Sequence, residues 1–389
     1  MSTNQSISKS LLLISILTGV IWTLYSLQYL NQGFFWDLSI YKKAVSVFNM
    51  GGNPYELNGY LSFVYHPLVL RLMALFGNYL GPTLVGAYLA SLVFFLSGLG
   101  SHRSWWLYGF LAFAYCGLGT ISIGSGNVTA FFHLTLLGIL LRKIRIDDAA
   151  EMSSIKLTRL FIVTVLIFSL VKPYMLAYLI IPIVSYWGKQ DQKSIYLLIL
   201  LMGAAFISSV IASSLFFSTE FQSFLSAVQG QTIGKRDLGY GLLMYFYDYY
   251  LSAGSLIYRA FVLHFAILAV IFVTILFLAK RSGQLHTSEF ALLLYFLLTI
   301  LNPRLKVYDL FPALVALFLF SSTIPQTMLH SCLFTIAYTL SLSQLVDTPF
   351  FIPTGLLSDP LNVYYLTMGL VLLGVLPGLF KKPQQTLKR

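Results

Sequence analysis

The stretch Trp36–Pro67, WDLSIYKKAVSVFNMGGNPYELNGYLSFVYHP, directly follows the first long apolar run of the chain, residues 11–30. An acid, Asp37, stands close to the end of that run, and a Gly-Gly-Asn-Pro-Tyr turn at 51–55 and Tyr-His-Pro at 65–67 come after it. A loop that only joins two apolar helices needs neither a carboxylate nor tight turns rich in tyrosine. The stretch therefore indicates a folded segment, with an acid placed at the end of an apolar helix.

The composition of the chain defines its broad class. Of its 389 residues, 58% are hydrophobic and only 10% are charged, whereas soluble domains carry about 25% charged residues. Apolar runs of about 20 residues recur, and each is long enough to cross a bilayer core. We therefore expect an all-α, polytopic membrane protein. Its first span lacks a small-residue cleavage site, which indicates a retained helix, and its charge of +11 is attributed to short loops rather than to a nucleic-acid partner.

The positions of the basic residues predict the topology. With alternating loops, most of the 24 basic residues fall on one side and most of the 13 acids on the other. The positive-inside rule then places both termini inside. Residues 1–382 are expected to form one transmembrane domain, with residues 31–81 as its first outer loop and 383–389 as a disordered cytoplasmic tail. The predicted spans, about twelve, are 11–30, 82–100, 105–121, 127–141, 160–171, 174–187, 194–217, 256–279, 289–301, 308–322, 327–345 and 361–380.

The apolar stretch 160–187 contains Lys172-Pro173 in its middle. As one helix it would reverse the side of every later loop, so two short segments meeting at Lys172 on the outer side are predicted. Proline breaks the helix there, and non-helical backbone at that depth is tolerated only where it lines a cavity. An ionisable residue between apolar runs is a functional candidate, here for binding a lipid phosphate. The alternative is a lysine at a helix end that reaches the interface.

The outer loops have structure of their own. Residues 38–48 carry apolar side chains at helical spacing, with Lys42 and Lys43 on the other side, so this segment is expected to lie along the membrane interface. Residues 63–76 predict a second short helix that begins behind Pro67. The loop 218–255 is too rich in glycine, tyrosine and charge for lipid contact.

Asp37 is the first candidate for chemistry, as a general base that takes a proton from an acceptor hydroxyl. The alternative is an interfacial acid that caps the helix after it. The segment 302–309, NPRLKVYD, offers Arg304 and Lys306 as phosphate ligands, or else an exposed charged turn. Two further cations on the predicted outer face are Lys235 and Arg236.

Two other features have weaker chemical meaning. Residues 124–127, GSGN, precede a short span and are best interpreted as a tight turn with good helix-start residues. His66 stands alone behind Tyr65, where a structural histidine is the more common case. The remaining histidines do not cluster in the sequence, and no metal-ligand spacing occurs.

Taken in order from about residue 11 to 320, these motifs resemble a known family. They are DLSIY at 37–41, GGNPY at 51–55, YHP at 65–67, GSGN at 124–127, KP at 172–173 and NPR at 302–304. The set is similar to glycosyltransferase family 87, the polyprenyl-phosphate-mannose-dependent α-mannosyltransferases of the GT-C superfamily. In that family the acid of the first outer loop is the proposed catalytic base, and this role falls on Asp37.

The chain also departs from the family pattern. Gly-Gln-Xaa-Asn is usual where GSGN stands, and a histidine pair is frequent where this chain has Val307-Tyr308-Asp309. Many GT-C relatives carry paired acids in the first outer loop and use a divalent metal. Asp37 stands without such a pair, which favours a reaction without metal or other cofactor.

The resemblance implies a GT-C-type bundle in the cell membrane, active on the periplasmic or extracellular face. Its partners would be a polyprenyl-phosphate sugar donor with a mannose-like hexose, a glycolipid or glycan acceptor of the cell envelope, and membrane lipids. Donor-phosphate contacts are expected from Lys172, Arg304, Lys306, Lys235 and Arg236. Substrate contacts are expected from Tyr41, Asn53, Tyr55, Tyr65, His66, Asn127 and Asp309.

Two other functions remain open at this point. A lipid or sugar transporter without catalytic activity would explain the spans and the Lys172-Pro173 break. It would not explain polar loops on one side only, since alternating access needs both faces. A scaffold subunit of a cell-envelope complex is the third possibility.

Overall fold

The computed structural model describes residues 3–28, 33–56, 63–147, 151–230, 257–283, 285, 287–302, 305–324, 326–345 and 360–380. These residues form α-helices and short 3₁₀ segments, and no β-strand occurs among them, so the all-helical prediction is confirmed. The helices are α1 (Thr3–Ser26), α2 (Asp37–Asn49), α3 (Pro67–Phe76), α4 (Leu80–Leu99), α5 (Arg103–Ala114), α6 (Leu118–Ser125), α7 (Val128–Asp147), α8 (Glu151–Val171), α9 (Ile180–Ser185), α10 (Gln192–Phe216), α11 (Ser218–Gln229), α12 (Ile257–Ser282), α13 (Phe290–Ile300), α14 (Val307–Thr323), α15 (Met328–Leu340) and α16 (Pro360–Phe380).

Several of these helices are consistent with a multi-pass membrane protein. Besides the six long stretches given at the end of this paragraph, four apolar helices have only 10–17 residues. One of them, α13, is about 17 Å long, whereas the bilayer core is about 30 Å thick. The twelve crossings and the orientation of the termini stay predictions. Within the described part of the chain, six helical stretches are long and apolar enough to cross a membrane: Ile7–Ser26, Pro67–Leu99, Arg103–Ser125, Ser154–Val171, Gln192–Phe216 and Val262–Ser282.

The core of the bundle lies around α13 and α14. Every residue of α13 is buried, and so is α14 from Asp309 to Ser321. Helix α14 packs against α5, α7 and α13, while α1 packs on α15 and α15 on α16. By contrast, α10 buries only Ile195 and Ser213. Lipid can cover the rest of α10, because acyl chains are as apolar as its side chains.

The predicted break at Lys172 is confirmed. Helix α8 ends at Val171, Lys172 is extended with φ −135° and ψ 93°, and a 3₁₀ segment, Pro173–Leu179, leads into α9. The Tyr186 hydroxyl lies 3.1 Å from Thr158 Oγ1, so the chain returns along α8 as a hairpin with Lys172 at its tip. At a rise of about 1.5–2.0 Å per residue, the tip is on the order of 20 Å from the Thr158–Tyr186 contact.

Several helices extend beyond the predicted spans or are divided within them. Helix α8 begins at Glu151 rather than at 160, and α7 continues to Asp147 rather than ending at 141. Their polar ends contain Lys, Arg and Glu, which are good helix formers although they are not apolar. The predicted span 105–121 divides into α5 and α6 at Cys116, which has φ 49°. At the next residue, Gly117, a Cβ would lie 2.6 Å from Ser26 Cβ, so the close approach of α1 requires glycine.

The stretch predicted as the first outer loop contains two helices, as its sequence predicts. Helix α2 matches the predicted segment 38–48, and α3 begins at Pro67. This start agrees with the prediction of a short helix behind Pro67, and residues 63–66 before it are not helical. A 3₁₀ turn, Gly77–Tyr79, then joins α3 to α4. The predicted tail, residues 383–389, lies outside the described residues.

Candidate active site

The position of Asp37 is fixed by the turn between α6 and α7. The Phe35 N–H donates to the Gly124 carbonyl at 2.7 Å, and Phe35 has φ 63°. Its ring lies against Gly126, where a Cβ would approach the ring to 2.3 Å. Gly126 also has φ 64°, so only glycine fits this position without strain. Thus the start of α2 is held against the start of α7.

Asn127 joins Asp37 to helix α7. Its Nδ2 donates to Asp37 Oδ2 at 2.7 Å, and its Oδ1 accepts from the Thr129 N–H at 3.0 Å, which caps α7. Asp37 is only 4% exposed. It is the first residue of α2, whose N-cap is Trp36. The carboxylate is therefore held by another helix and does not serve as the N-cap of its own.

The environment of Asp37 raises its pKa above the ordinary value. Burial is the main cause, while the hydrogen bond from Asn127 and the charge of Lys172 act in the opposite direction. A carboxylate whose pKa is raised in this way accepts a proton more readily than an exposed aspartate. The site can therefore support general-base chemistry at Asp37.

Three tyrosines that precede α3 are hydrogen-bonded to one another close to this acid. Tyr41 lies one helical turn after Asp37, and its hydroxyl is 3.2 Å from that of Tyr65 and accepts from the Val128 N–H at 3.3 Å. The Tyr55 hydroxyl donates to the Tyr65 carbonyl at 2.9 Å. Burial raises the pKa of Tyr41, so this hydroxyl stays neutral. Hydrogen bonds thus connect the three tyrosines, and Tyr41 interacts electrostatically with Asp37.

Lys172 lies in the same region. Its Nζ is 5.2 Å from the centroid of the Tyr65 ring, within cation–π range. It also interacts electrostatically with both Asp37 and Asp309. We call Asp37, Lys172 and Asp309 the two-carboxylate cluster. It brings together three residues that the sequence proposes separately.

Asp309, in the first turn of α14, is saturated with hydrogen bonds. Its Oδ1 accepts from the Tyr174 hydroxyl and from His133 Nε2, the latter at 3.1 Å. Its Oδ2 accepts from Asn302 Nδ2 at 3.3 Å and from the Lys306 N–H at 3.1 Å. These bonds hold the carboxylate firmly beside Lys172.

His133 is a residue of the site that sequence reasoning missed. Its Nδ1 is hydrogen-bonded to the Tyr295 hydroxyl. Because a carboxylate only accepts hydrogen bonds, Nε2 is the donor to Asp309. The signal was available, because an ionisable side chain in the middle of the predicted span 127–141 is costly unless it has a partner.

The other predicted cations contribute less to the described site. Lys306 precedes α14 and is half-buried; burial lowers its pKa to about 8, and the charge of Asp309 opposes this. Its ammonium therefore loses its proton more readily than that of an exposed lysine. Arg304, Lys235 and Arg236 lie outside the described residues, so their predicted contacts stay predictions.

Two predicted substrate residues, Asn53 and His66, contact α11. Asn53 Nδ2 donates to Glu56 Oε1 at 2.8 Å and to Ser223 Oγ at 3.0 Å. His66 is the N-cap of α3, with Nδ1 accepting from the Leu68 N–H at 3.3 Å. Both have structural partners, and their roles in substrate binding stay predictions.

The described residues contain no group of three or more His, Cys, Asp or Glu side chains that could hold a metal ion. The expectation of a metal-independent reaction stays a prediction. No protein family, curated protein or solved structure matches this chain. The resemblance to glycosyltransferase family 87 therefore stays a prediction from the motifs quoted from the sequence.

Proposed function

We propose that this chain is a membrane glycosyltransferase that transfers a mannose-like hexose from a polyprenyl-phosphate donor to a hydroxyl of a glycolipid or glycan. The observation that carries the proposal is the buried Asp37, fixed by Asn127 and placed beside Lys172 at the tip of the α8–α9 hairpin. A base and a cation close together are the two groups that sugar transfer from a phosphate requires.

In the proposed reaction, the acceptor oxygen attacks the anomeric carbon while Asp37 takes the hydroxyl proton. A new carbon–oxygen bond forms to the acceptor, and the bond between the anomeric carbon and the phosphate oxygen breaks. The lipid phosphate leaves with the electron pair of that bond. Because it leaves as an anion, the site needs positive charge more than it needs a general acid.

The two-carboxylate cluster suits this change of charge. Before reaction, Lys172 interacts with the carboxylates of Asp37 and Asp309. When Asp37 accepts the proton it becomes neutral, and the departing phosphate gains charge in the same step. Lys172 then loses one anionic partner as another develops. Asp309 is held by its hydrogen bonds and keeps Lys172 in place throughout.

The experiment uses the purified full chain in liposomes, with a polyprenyl-phosphate sugar labelled in the sugar and a glycolipid acceptor. Formation of a labelled glycoside is the expected result, and donors carrying different hexoses establish the sugar. Movement of the label across the bilayer without a new glycoside would instead favour a transporter. If no donor gives a labelled glycoside and no label crosses the bilayer, both the transferase and the transporter are contradicted. The scaffold role then remains. Lys189→Ala is the control variant, since Lys189 lies beside Tyr186 at the base of the hairpin.

A further inference from the structure

A cavity of about 270 Å³ lies between the end of α9 and the C-terminal half of α12. It is close to Tyr186 and therefore on the order of 20 Å from Lys172, at the far end of the hairpin. The cavity is thus separate from the two-carboxylate cluster. Its lining includes Val184, Trp187, Val273, Leu276, Phe277 and Lys280.

The α12 side of the cavity is one continuous stripe. Val273, Leu276, Phe277 and Lys280 follow the spacing of one helix face. Val273 is 61% exposed and Phe277 is 62% exposed, and Trp187 on the opposite wall is 65% exposed. Since α12 contains a stretch long and apolar enough to cross a membrane, these side chains are placed to meet lipid, and the cavity is open to it.

A cation ends this apolar stripe. Lys280 lies in the last turn of α12, with Arg281 next to it. The helix dipole alone favours basic residues there, so Lys280 by itself indicates no ligand. The second, independent feature is the apolar cavity, which Lys280 lines together with Val273 and Phe277. Within the described residues, no acid lies within salt-bridge distance of Lys280.

We propose that this cavity binds an acyl chain of an anionic glycerophospholipid, with the lipid phosphate held by Lys280. The apolar lining suits a hydrocarbon chain, and the volume is near the lower end of the range for small-molecule pockets. A basic residue at the mouth of a pocket between membrane helices attracts anionic headgroups. Charge complementarity therefore selects an anionic lipid over a zwitterionic one.

Trp187 provides a direct test, because it lines the cavity and brominated acyl chains quench indole emission. The full chain is placed in phosphatidylcholine bilayers that contain equal fractions of brominated phosphatidylglycerol or brominated phosphatidylcholine. The Trp187 signal is the difference between the wild type and Trp187→Phe. We expect about a fivefold preference for phosphatidylglycerol at Trp187. Lys280→Gln should abolish the preference, while Lys193→Gln, an exposed lysine in the first turn of α10, should keep it.

Val273→Phe distinguishes insertion of the lipid acyl chain into the cavity from attraction of the lipid headgroup alone. It fills the cavity from an exposed position and should remove the preference although Lys280 remains. Thermal unfolding in detergent with added phosphatidylglycerol or phosphatidylcholine gives a second measure that needs no tryptophan substitution, with a larger rise in Tm expected for phosphatidylglycerol. Any of three results would overturn the proposal. They are equal quenching by the two lipids, an equal loss of the lipid preference in Lys193→Gln and Lys280→Gln, and an unchanged preference in Val273→Phe.

Discussion

Asn127→Ser isolates the hydrogen bond that stabilises the charged form of Asp37. The serine hydroxyl can still accept from the Thr129 N–H and cap α7, since serine is a good N-cap. It is too short to replace the Nδ2 donor that lies 2.7 Å from Asp37 Oδ2. The variant therefore removes one contact of the carboxylate and keeps the helix start.

The expected change follows from the value of one hydrogen bond to a charged group. Such a bond contributes about 1.5–3 kcal/mol, and one pKa unit corresponds to about 1.36 kcal/mol. Asp37 is 4% exposed, so solvent screens little of this effect. The Asn127 bond lowers the pKa of Asp37, so its loss should raise that pKa by about one to two units.

Two measurements follow this shift. The base must be ionised to act, so the acidic limb of the pH dependence of kcat/KM should move to higher pH by the same amount. The carboxyl stretching band of Asp37, taken as the infrared difference between each protein and its Asp37→Asn form, reports the same titration without any substrate.

Asn53→Ser is the matched control, because Asn53 donates to Glu56 and Ser223 rather than to Asp37. It should leave both titrations unchanged. The assigned electrostatics of the site would be refuted if the acidic limb of the kcat/KM profile stayed in place in a folded Asn127→Ser protein. Movement of that limb to lower pH would refute it as well.

Lys172→Ala should weaken donor binding or turnover by about tenfold or more, since a charge-assisted contact is lost, whereas Lys189→Ala should match the wild type; equal effects in a donor titration would contradict a local phosphate site. Transfer should persist in excess EDTA, and loss of activity that Mg²⁺ or Mn²⁺ restores would show a metal-dependent reaction. Cysteines introduced at Asn58 and Ser358 should react with an impermeant thiol reagent in intact cells, and one at Ser153 should not; the reverse pattern would overturn the orientation.

The hairpin shows what the sequence can predict about this fold. Lys172-Pro173 interrupts an apolar run, and proline both removes a backbone donor and clashes with the preceding turn, so the break has a local cause. The kink at Cys116 has no such signal. It depends on Gly117 meeting Ser26 of α1, a contact between distant parts of the chain that local residue patterns do not contain.

The candidate site also combines residues that the sequence identifies with pairings that only tertiary packing determines. Asp37, Asn127 and Lys172 each stand out by residue type beside a turn or a proline. That Asn127 donates to Asp37 across 90 residues is a consequence of how α2 and α7 pack. His133 stands out as an ionisable side chain in a predicted span, but local pattern does not identify its partner, Asp309, 176 residues away. Local pattern therefore identifies candidates, while tertiary packing decides their pairing.

Single-turnover transfer by Asp37→Asn measures the contribution of the proposed catalytic base. The substitution keeps the shape of the side chain and removes its basicity, and the Asn127 amide can still donate to the new carbonyl. We expect the transfer rate to fall on the order of 10²-fold or more, with Tm and donor binding close to those of the wild type. Transfer at a rate near that of the wild type in the folded Asp37→Asn protein would contradict the proposed role of Asp37.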